Sequence, residues 1–213
     1  MRTLALSALL ILTAACSRDD GGPPLAHPSD SVLAQRASDT VRVRVETGRG
    51  PFVIEAYRDW APKGVDRFAQ LTQLGFYDGV KFFRVIDGFM AQFGINGDPR
   101  VADAWKDRSI TDDPVTHGNE RGTITFATRG PDTRTTQLFI NLVDNRNLDG
   151  MGFTPIGRIV EGMDVVDSLY KGYGEGAPDG SGPDQGRIAS DGNDYLRRDF
   201  PKLDSIITAR LVK

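Results

Sequence analysis

Residues 81–94, Lys81-Phe82-Phe83-Arg84-Val85-Ile86-Asp87-Gly88-Phe89-Met90-Ala91-Gln92-Phe93-Gly94, set one arginine and one glutamine among large apolar side chains. An arginine in such surroundings costs desolvation free energy unless something pairs with it. The aromatic and β-branched content of 82–86 predicts a strand, and Asp87-Gly88 has the chemistry of a turn or bulge. Alternation along the strand puts Phe82, Arg84 and Ile86 on one face. Met90 and Gln92 stay in phase with Arg84 if the kink at Gly88 preserves parity. The product is a shallow apolar patch carrying one cation and one amide, suited to a small hydrophobic ring flanked by carbonyls.

Other reactive constellations are weaker. The two histidines, His27 and His117, exclude a multi-histidine metal site, and His117 reads as a loop residue capping a turn. Cys16 is the sole cysteine, which leaves residues 40–213 without a thiol nucleophile or an intrachain disulfide. Gly172-Tyr173-Gly174-Glu175-Gly176 looks like a phosphate loop but lacks the Lys-Ser/Thr that follows in one. Residues 179–184 match no EF-hand spacing and read as a solvated turn. Asp112-Asp113 reads as a helix or turn cap rather than an acid–base pair. No cofactor and no metal are expected.

The N-terminus has its own logic. Met1-Arg2 is a short positive start, residues 4–12 form an apolar run of signal-peptide length, and Thr13-Ala14-Ala15-Cys16 reads as a lipobox. Residues 1–15 are expected to be a signal peptide, Cys16 the lipidation site, and 16–39, rich in Asp, Gly, Pro and Ser, a flexible tether. Removing 1–15 takes away Arg2 and no acid, so the net charge moves from −3 to −4. No basic stripe is available for phosphates, which excludes nucleic acid as the target. Residues 40–213 are enough for one domain with a sizeable core.

Positioning the Arg84 patch falls to many short strands. Residues 41–46 alternate apolar and charged side chains, Thr47-Gly48-Arg49-Gly50 reads as a hairpin turn, and 51–57 return as a strand. A helix is predicted from Pro62 to a stop at Gly75, with Val65, Phe68 and Leu71 facing the core. Further strands are predicted at 80–86, 89–93, 123–128, 137–142, 156–160 and 206–212. Residues 162–170 read as a short helix, 101–118 as a long loop, 171–186 as a glycine-rich loop, and 196–201 as the end of another short helix. Short strands without strand–helix alternation predict a mainly β fold, and a barrel would leave no sheet edge exposed.

Five collinear runs carry a resemblance: 83–92, Gly122-Thr123-Ile124-Thr125-Phe126-Ala127, Thr136-Gln137-Leu138-Phe139-Ile140, Leu148-Asp149-Gly150, and 157–166. Together they resemble the cyclophilin family of peptidyl-prolyl cis-trans isomerases over about 41–169. The resemblance implies a closed eight-stranded antiparallel barrel capped by two α-helices, with the proline site on its outer surface. It implies that Arg84 is the catalytic arginine and Gln92 the glutamine binding substrate backbone. Phe89, Met90, Phe139 and Leu148 would wall the proline pocket, and Ala127 and Gln137 would line the adjoining groove. The chain departs from the family pattern at Asn147, where tryptophan is frequent, which points away from cyclosporin-type inhibition. Phe153 lies where the histidine after Asp-Gly is missing, Thr128, followed by Arg129, stands in place of the groove asparagine, and the segment 171–204 is longer than a minimal member needs.

Elementary chemistry gives Arg84 a role of its own. Rotation about an amide is opposed by ~18–20 kcal/mol because resonance is lost, and the twisted state carries a localised nitrogen lone pair. A guanidinium donating to that lone pair finds its partner only in the twisted state, so its effect is differential. The alternative is a structural arginine paired to Asp87. The sequence therefore predicts a monomeric, exported prolyl isomerase (EC 5.2.1.8) acting on proline-containing unfolded or flexible polypeptides. It would be membrane-anchored through an N-terminal lipid, facing the periplasm from the outer membrane if the source is Gram-negative. The competing readings are a proline-binding chaperone module without turnover and a structural envelope protein on the same barrel.

Overall fold

The computed structural model describes residues 24–213. The expected signal peptide, Cys16 and the first part of the tether lie outside the described residues. The described part opens with a 3-10 turn at Pro24–Ala26 and helix α1 (Asp30–Leu33). It continues into the hairpin of β1 (Thr40–Thr47) and β2 (Gly50–Tyr57), paired from Thr40–Tyr57 to Thr47–Gly50. The predicted alternation is realised: Val41, Val43 and Val45 are buried, while the arginines between them reach the surface and its ion pairs.

Helix α2 (Pro62–Gln73) starts as its sequence predicts, with Pro62 in the first turn. Its two free amides at Lys63 and Gly64 donate to the Asp113 carboxylate at 3.1 and 2.9 Å, so Asp113 is a helix cap supplied from a distant loop, while Asp112 accepts from Asp132 N at 2.8 Å. Val65, Phe68 and Leu71 close one end of the core. The remaining strands are β3 (Arg84–Val85), β4 (Met90–Phe93), β5 (Thr123–Phe126), β6 (Leu138–Asn141), β7 (Pro155–Glu161) and β8 (Ile206–Val212). They form one antiparallel sheet in the order β3-β4-β6-β5-β7-β2-β1-β8.

The expected closure is incomplete. β3 and β8 share no continuous ladder. The curled sheet is stitched there by a Lys81–Ser205 bridge, by Phe82 N donating to Asp204 O (3.0 Å) and by Ile206 N donating to Val80 O (2.9 Å). This is a half-barrel with its seam tacked rather than a closed barrel, because only two residues of the 80–86 run hold strand geometry.

Helices exceed the two expected. The 101–118 stretch is not all loop: α3 (Pro99–Trp105) begins with Pro99 behind an Asp98 cap that accepts from Arg100 N at 2.9 Å. After α4 (Met163–Asp167), α5 (Gln185–Asp199) runs far longer than the short helix foreseen, capped by Asp184 and bent at Gly192. Ile188, Tyr195 and Leu196 bury against Phe83 and Ile95 in a second small core.

The tether boundary also shifts. From Leu25 to Ala37 the chain lies on the domain instead of hanging free: Trp105 Nε1 donates to Leu25 O (2.8 Å), Gln70 Nε2 to Leu33 O and Gln35 O (both 2.9 Å), and Ala37 N to Asp66 (2.8 Å). Leu25, Leu33 and Ala37 pack on the main core. Polar composition disguised these few apolar anchors.

Candidate active site

Strand pairing places the site. β3 and β4 set Arg84 opposite Gln92, and β4 and β6 set Gln92 opposite Phe139 and Met90 opposite Asn141. Val85, Ala91 and Phe93 point into the main core, so Arg84, Met90 and Gln92 share the outer face. Phe82 does not join them. It is buried in the core, because the two residues before Arg84 are not strand and parity is lost there. The Gly88 turn (φ 67°) keeps phase between the two strands, as Arg84 requires.

Gly94 ends β4 with φ 107°, and a Cβ there would collide with the carbonyl of Thr136. Only glycine lets the two backbones approach so closely. That approach brings Gln137 to Gln92.

A polar line crosses the site. Arg84 Nη1 donates to Gln92 Oε1 (3.0 Å), and Gln92 Nε2 donates to Gln137 Oε1 (2.9 Å). The first bond fixes which end of the Gln92 amide is oxygen, since a guanidinium only donates. Arg84 also lies 5.8 Å from the Phe89 ring centroid, within cation–π range. Asp87, the alternative partner for Arg84, instead pairs with Lys171. Arg84 is held by a residue the sequence reading missed: its Nε and Nη2 donate to Glu175 Oε1 and Oε2 at 2.7 and 2.6 Å. That arginine keeps the Glu175 carboxyl below the usual carboxylate range. The only sequence signal was one acid alone in a glycine run.

Beside this line lies an apolar hollow. Met90, Phe139 and Leu148 are buried together, with Ile86, Phe89, Ala127 and Phe153 half-buried around them. All eight residues singled out from the sequence other than Cys16 line one groove of about 740 Å³, namely Arg84, Gln92, Phe89, Met90, Ala127, Gln137, Phe139 and Leu148. The groove runs on past Thr128 and Arg129 to Lys106 and Gln185.

Buried amides behind the hollow hold its wall. Asn145 Nδ2 donates to Phe89 O (2.9 Å) and Asn141 Oδ1 (2.7 Å), and Asn141 Nδ2 to Asn119 Oδ1 (3.2 Å). Asn119 Nδ2 in turn donates to Asp149 Oδ1 and Phe153 O, both at 2.8 Å. The network ties Phe89 on one side of the hollow to Leu148 and Phe153 on the other through the backbone that carries them. His117 stays away from the site, stacked on Trp60 with centroids 3.9 Å apart.

The chemistry on offer is narrow. The hollow can seat a compact apolar ring. Beside it stand a fixed cation with donors to spare and an amide pair able to hold extended backbone.

Comparison with known proteins supplies the context for that geometry. The family model described as cyclophilin type peptidyl-prolyl cis-trans isomerase/CLD matches residues 42–189. Peptidyl-prolyl cis-trans isomerase B of Escherichia coli strain K12 is 34% identical over 179 residues, 78% of this chain and 95% of that protein. A peptidyl-prolyl cis-trans isomerase of Acinetobacter baylyi is 32% identical over 145 residues, covering 65% of this chain and 76% of its own length. Among solved structures, a cyclophilin type peptidyl-prolyl cis-trans isomerase of Cryptosporidium parvum superposes with a TM-score of 0.61 at 20% identity, covering 82% of this chain and 98% of that one. At that identity the likeness concerns the fold.

Proposed function

This chain belongs to the cyclophilin family and is a peptidyl-prolyl cis-trans isomerase; from that premise we propose that Arg84 drives X-Pro isomerisation in exported polypeptides at the cell envelope. The observation that carries the site assignment is the Arg84–Gln92–Gln137 line running beside the hollow of Phe89, Met90, Phe139 and Leu148. The ring of a substrate proline sits in the hollow and the chain preceding it lies along the two glutamines. With the ring anchored, the carbonyl before proline rotates. Arg84 donates to the imide nitrogen as its lone pair localises, a bond that the planar ground state does not make.

The magnitudes suit such a device. Each factor of ten in rate needs about 1.4 kcal/mol of differential stabilisation. A charge-assisted hydrogen bond in a partly desolvated groove, added to the anchoring of the ring, lies in that range. Uncatalysed X-Pro bonds isomerise over roughly tens to hundreds of seconds, slow enough to limit folding. An envelope isomerase would relieve that limit for proteins arriving unfolded.

Export and anchoring rest on residues 1–16: the positive start, the apolar run and the Thr13-Ala14-Ala15-Cys16 lipobox. No helix among the described residues is long and apolar enough to cross a membrane. In this reading the lipid on Cys16 tethers a monomeric domain to the outer membrane, facing the periplasm in a Gram-negative cell. The test pairs a protease-coupled assay on an Ala-Pro peptide with fractionation of cells expressing the full chain. Acceleration by the wild type, with membrane recovery that Cys16→Ser abolishes, supports the reading. Binding of proline peptides without acceleration would make the protein a chaperone module, and soluble recovery of unprocessed wild type would remove the envelope role.

A further inference from the structure

We propose that Glu175, carried by the extension at 171–204, is a positioning residue for isomerisation that orients the guanidinium of Arg84 over the hollow. The inference rests on Arg84 being the catalytic residue. It adds a part of the catalytic device supplied by a segment outside the strands that build the site.

Donor arithmetic motivates it. A guanidinium has five N–H donors in a rigid plane. Glu175 takes one from Nε and one from Nη2, and Gln92 takes one from Nη1. Of the other two, the second Nη1 donor has only the weakly accepting Met90 thioether, 4.0 Å away, and the second Nη2 donor has no partner among the described residues. Two acceptors attached to different parts of the fold thus set both the plane and the rotation of the group, and leave its outer end free. Gln92 alone would fix one point and let the fork turn about it.

The carboxylate is delivered by a built loop rather than a loose one. Gly174 bridges to Val85, the residue after Arg84, which docks the loop on β3. Glu175 O accepts from Gly182 N (2.8 Å), Gly180 N donates to Gly176 O (2.9 Å), and Gly176 N donates to the Glu175 carboxylate itself (2.9 Å). A Cβ at Gly180 would meet the carbonyl of Glu175, so the loop's glycines serve this close winding. Tyr173, two residues before, packs edge-on against Tyr170 and Phe200 with centroids 5.0 Å away in each case, joining the loop to the end of α5. The two charged side chains are only partly exposed, 23% for Arg84 and 38% for Glu175.

Glu175 partly neutralises the charge it orients, so the proposal has a sign. If orientation dominates, removing the carboxylate slows the reaction; if neutralisation dominates, removal speeds it. Fixed geometry outweighs raw charge here because a transition-state hydrogen bond weakens steeply with misalignment.

The experiment measures kcat and KM for an Ala-Pro peptide with the full chain carrying Glu175→Ala, Glu175→Gln or Arg84→Ala, alongside the NMR signal of the Arg84 Nε–H. Glu175→Ala is expected to lower kcat by about tenfold or more with KM nearly kept, and to collapse the Nε–H signal into solvent exchange. Glu175→Gln, which keeps one acceptor and the loop's packing, is expected to fall between; it carries the test should the alanine variant not fold. A rate within about twofold of wild type, a faster rate, or a rise in KM at constant kcat would overturn the positioning role. Arg84→Ala separates the two ideas. If that variant keeps full activity, the reading of Arg84 fails; if it is inactive while both Glu175 variants are fully active, only this inference fails.

Discussion

Phe153 stands edge-on to Phe139, ring centroids 5.7 Å apart and planes at 72°, and so forms part of the wall of the hollow. An apolar ring there makes the hollow depend on packing rather than on a polar contact. Phe153→Ala should weaken binding of an Ala-Pro peptide by roughly two- to tenfold, the loss of an aromatic pair of ~0.5–1.5 kcal/mol, while kcat changes little. Titration calorimetry with kinetics on the same variant checks it. An unchanged affinity would place Phe153 outside the proline contact.

Asn119 accepts and donates at the centre of the buried amide network behind that wall, with its own side chain fully buried. Asn119→Ala removes the acceptor of the Thr125 hydroxyl and one of the two acceptors of Asn141 Nδ2, which keeps only Thr123 Oγ1. The cost should be about 1–3 kcal/mol of unfolding free energy, measured by urea denaturation. Affinity for proline peptide should fall as well, since the network joins the backbones that carry Leu148 and Phe153.

Arg134 and Asp113 form an ion pair with side chains 2% and 1% exposed, N···O 3.1 Å, and the same carboxylate caps α2. Asp113→Ala removes the buried partner of the Arg134 cation and uncaps a helix together. A loss of about 3–5 kcal/mol is expected, visible as a lower midpoint in chemical denaturation. A loss near zero would mean that Asp112, which lies 3.0 Å from Arg134 Nε, takes over the charge.

Acid should weaken the hold on Arg84. The Glu175 carboxyl is depressed in the folded state, first by its hydrogen bonds from Arg84. A group depressed on folding stabilises the protein fully above its unfolded pKa, ~4.3 for glutamate, and loses that contribution as pH falls through the folded value. The stability gap between wild type and Glu175→Gln should therefore be constant near neutrality and shrink below about pH 4.3. Asp87 is depressed likewise by Lys171, so Lys171→Ala should lose its own, separate gap over the same side of the curve. Thermal melts of the three proteins across pH 3–7 check the sign; because both carboxylates reach solvent, the effects should be small.

Much of this was legible because period-two burial and turn chemistry are local. The 41–57 hairpin, α2, the strands around Phe126 and Phe139 and the closing strand could be read from neighbours in sequence. Register did the rest for the site: once β3 and β4 pair, Arg84 must face Gln92. What escaped was set by distant partners. Helix α3 hid in a polar stretch because Val101 and Trp105 are its only buried residues. The cap of α2 comes from Asp113, some fifty positions on, and Glu175 reaches Arg84 across an even longer stretch of chain. Phe82 faces the core, opposite to the face that period two predicts, because the two residues before Arg84 are not strand.

The central claim is that Arg84 acts on the twisted imide rather than on the bound ground state. Its most direct test is the protease-coupled isomerisation rate of Arg84→Ala and Arg84→Lys beside wild type, with peptide affinity measured on each. The account predicts that both variants bind an Ala-Pro peptide within about threefold of wild type. Arg84→Ala should lose about a hundredfold or more in kcat/KM, and the lysine variant, which keeps the charge but not the fork, should recover little of it. Near-wild-type turnover in Arg84→Ala, or a fall in rate matched by an equal fall in affinity, would contradict it.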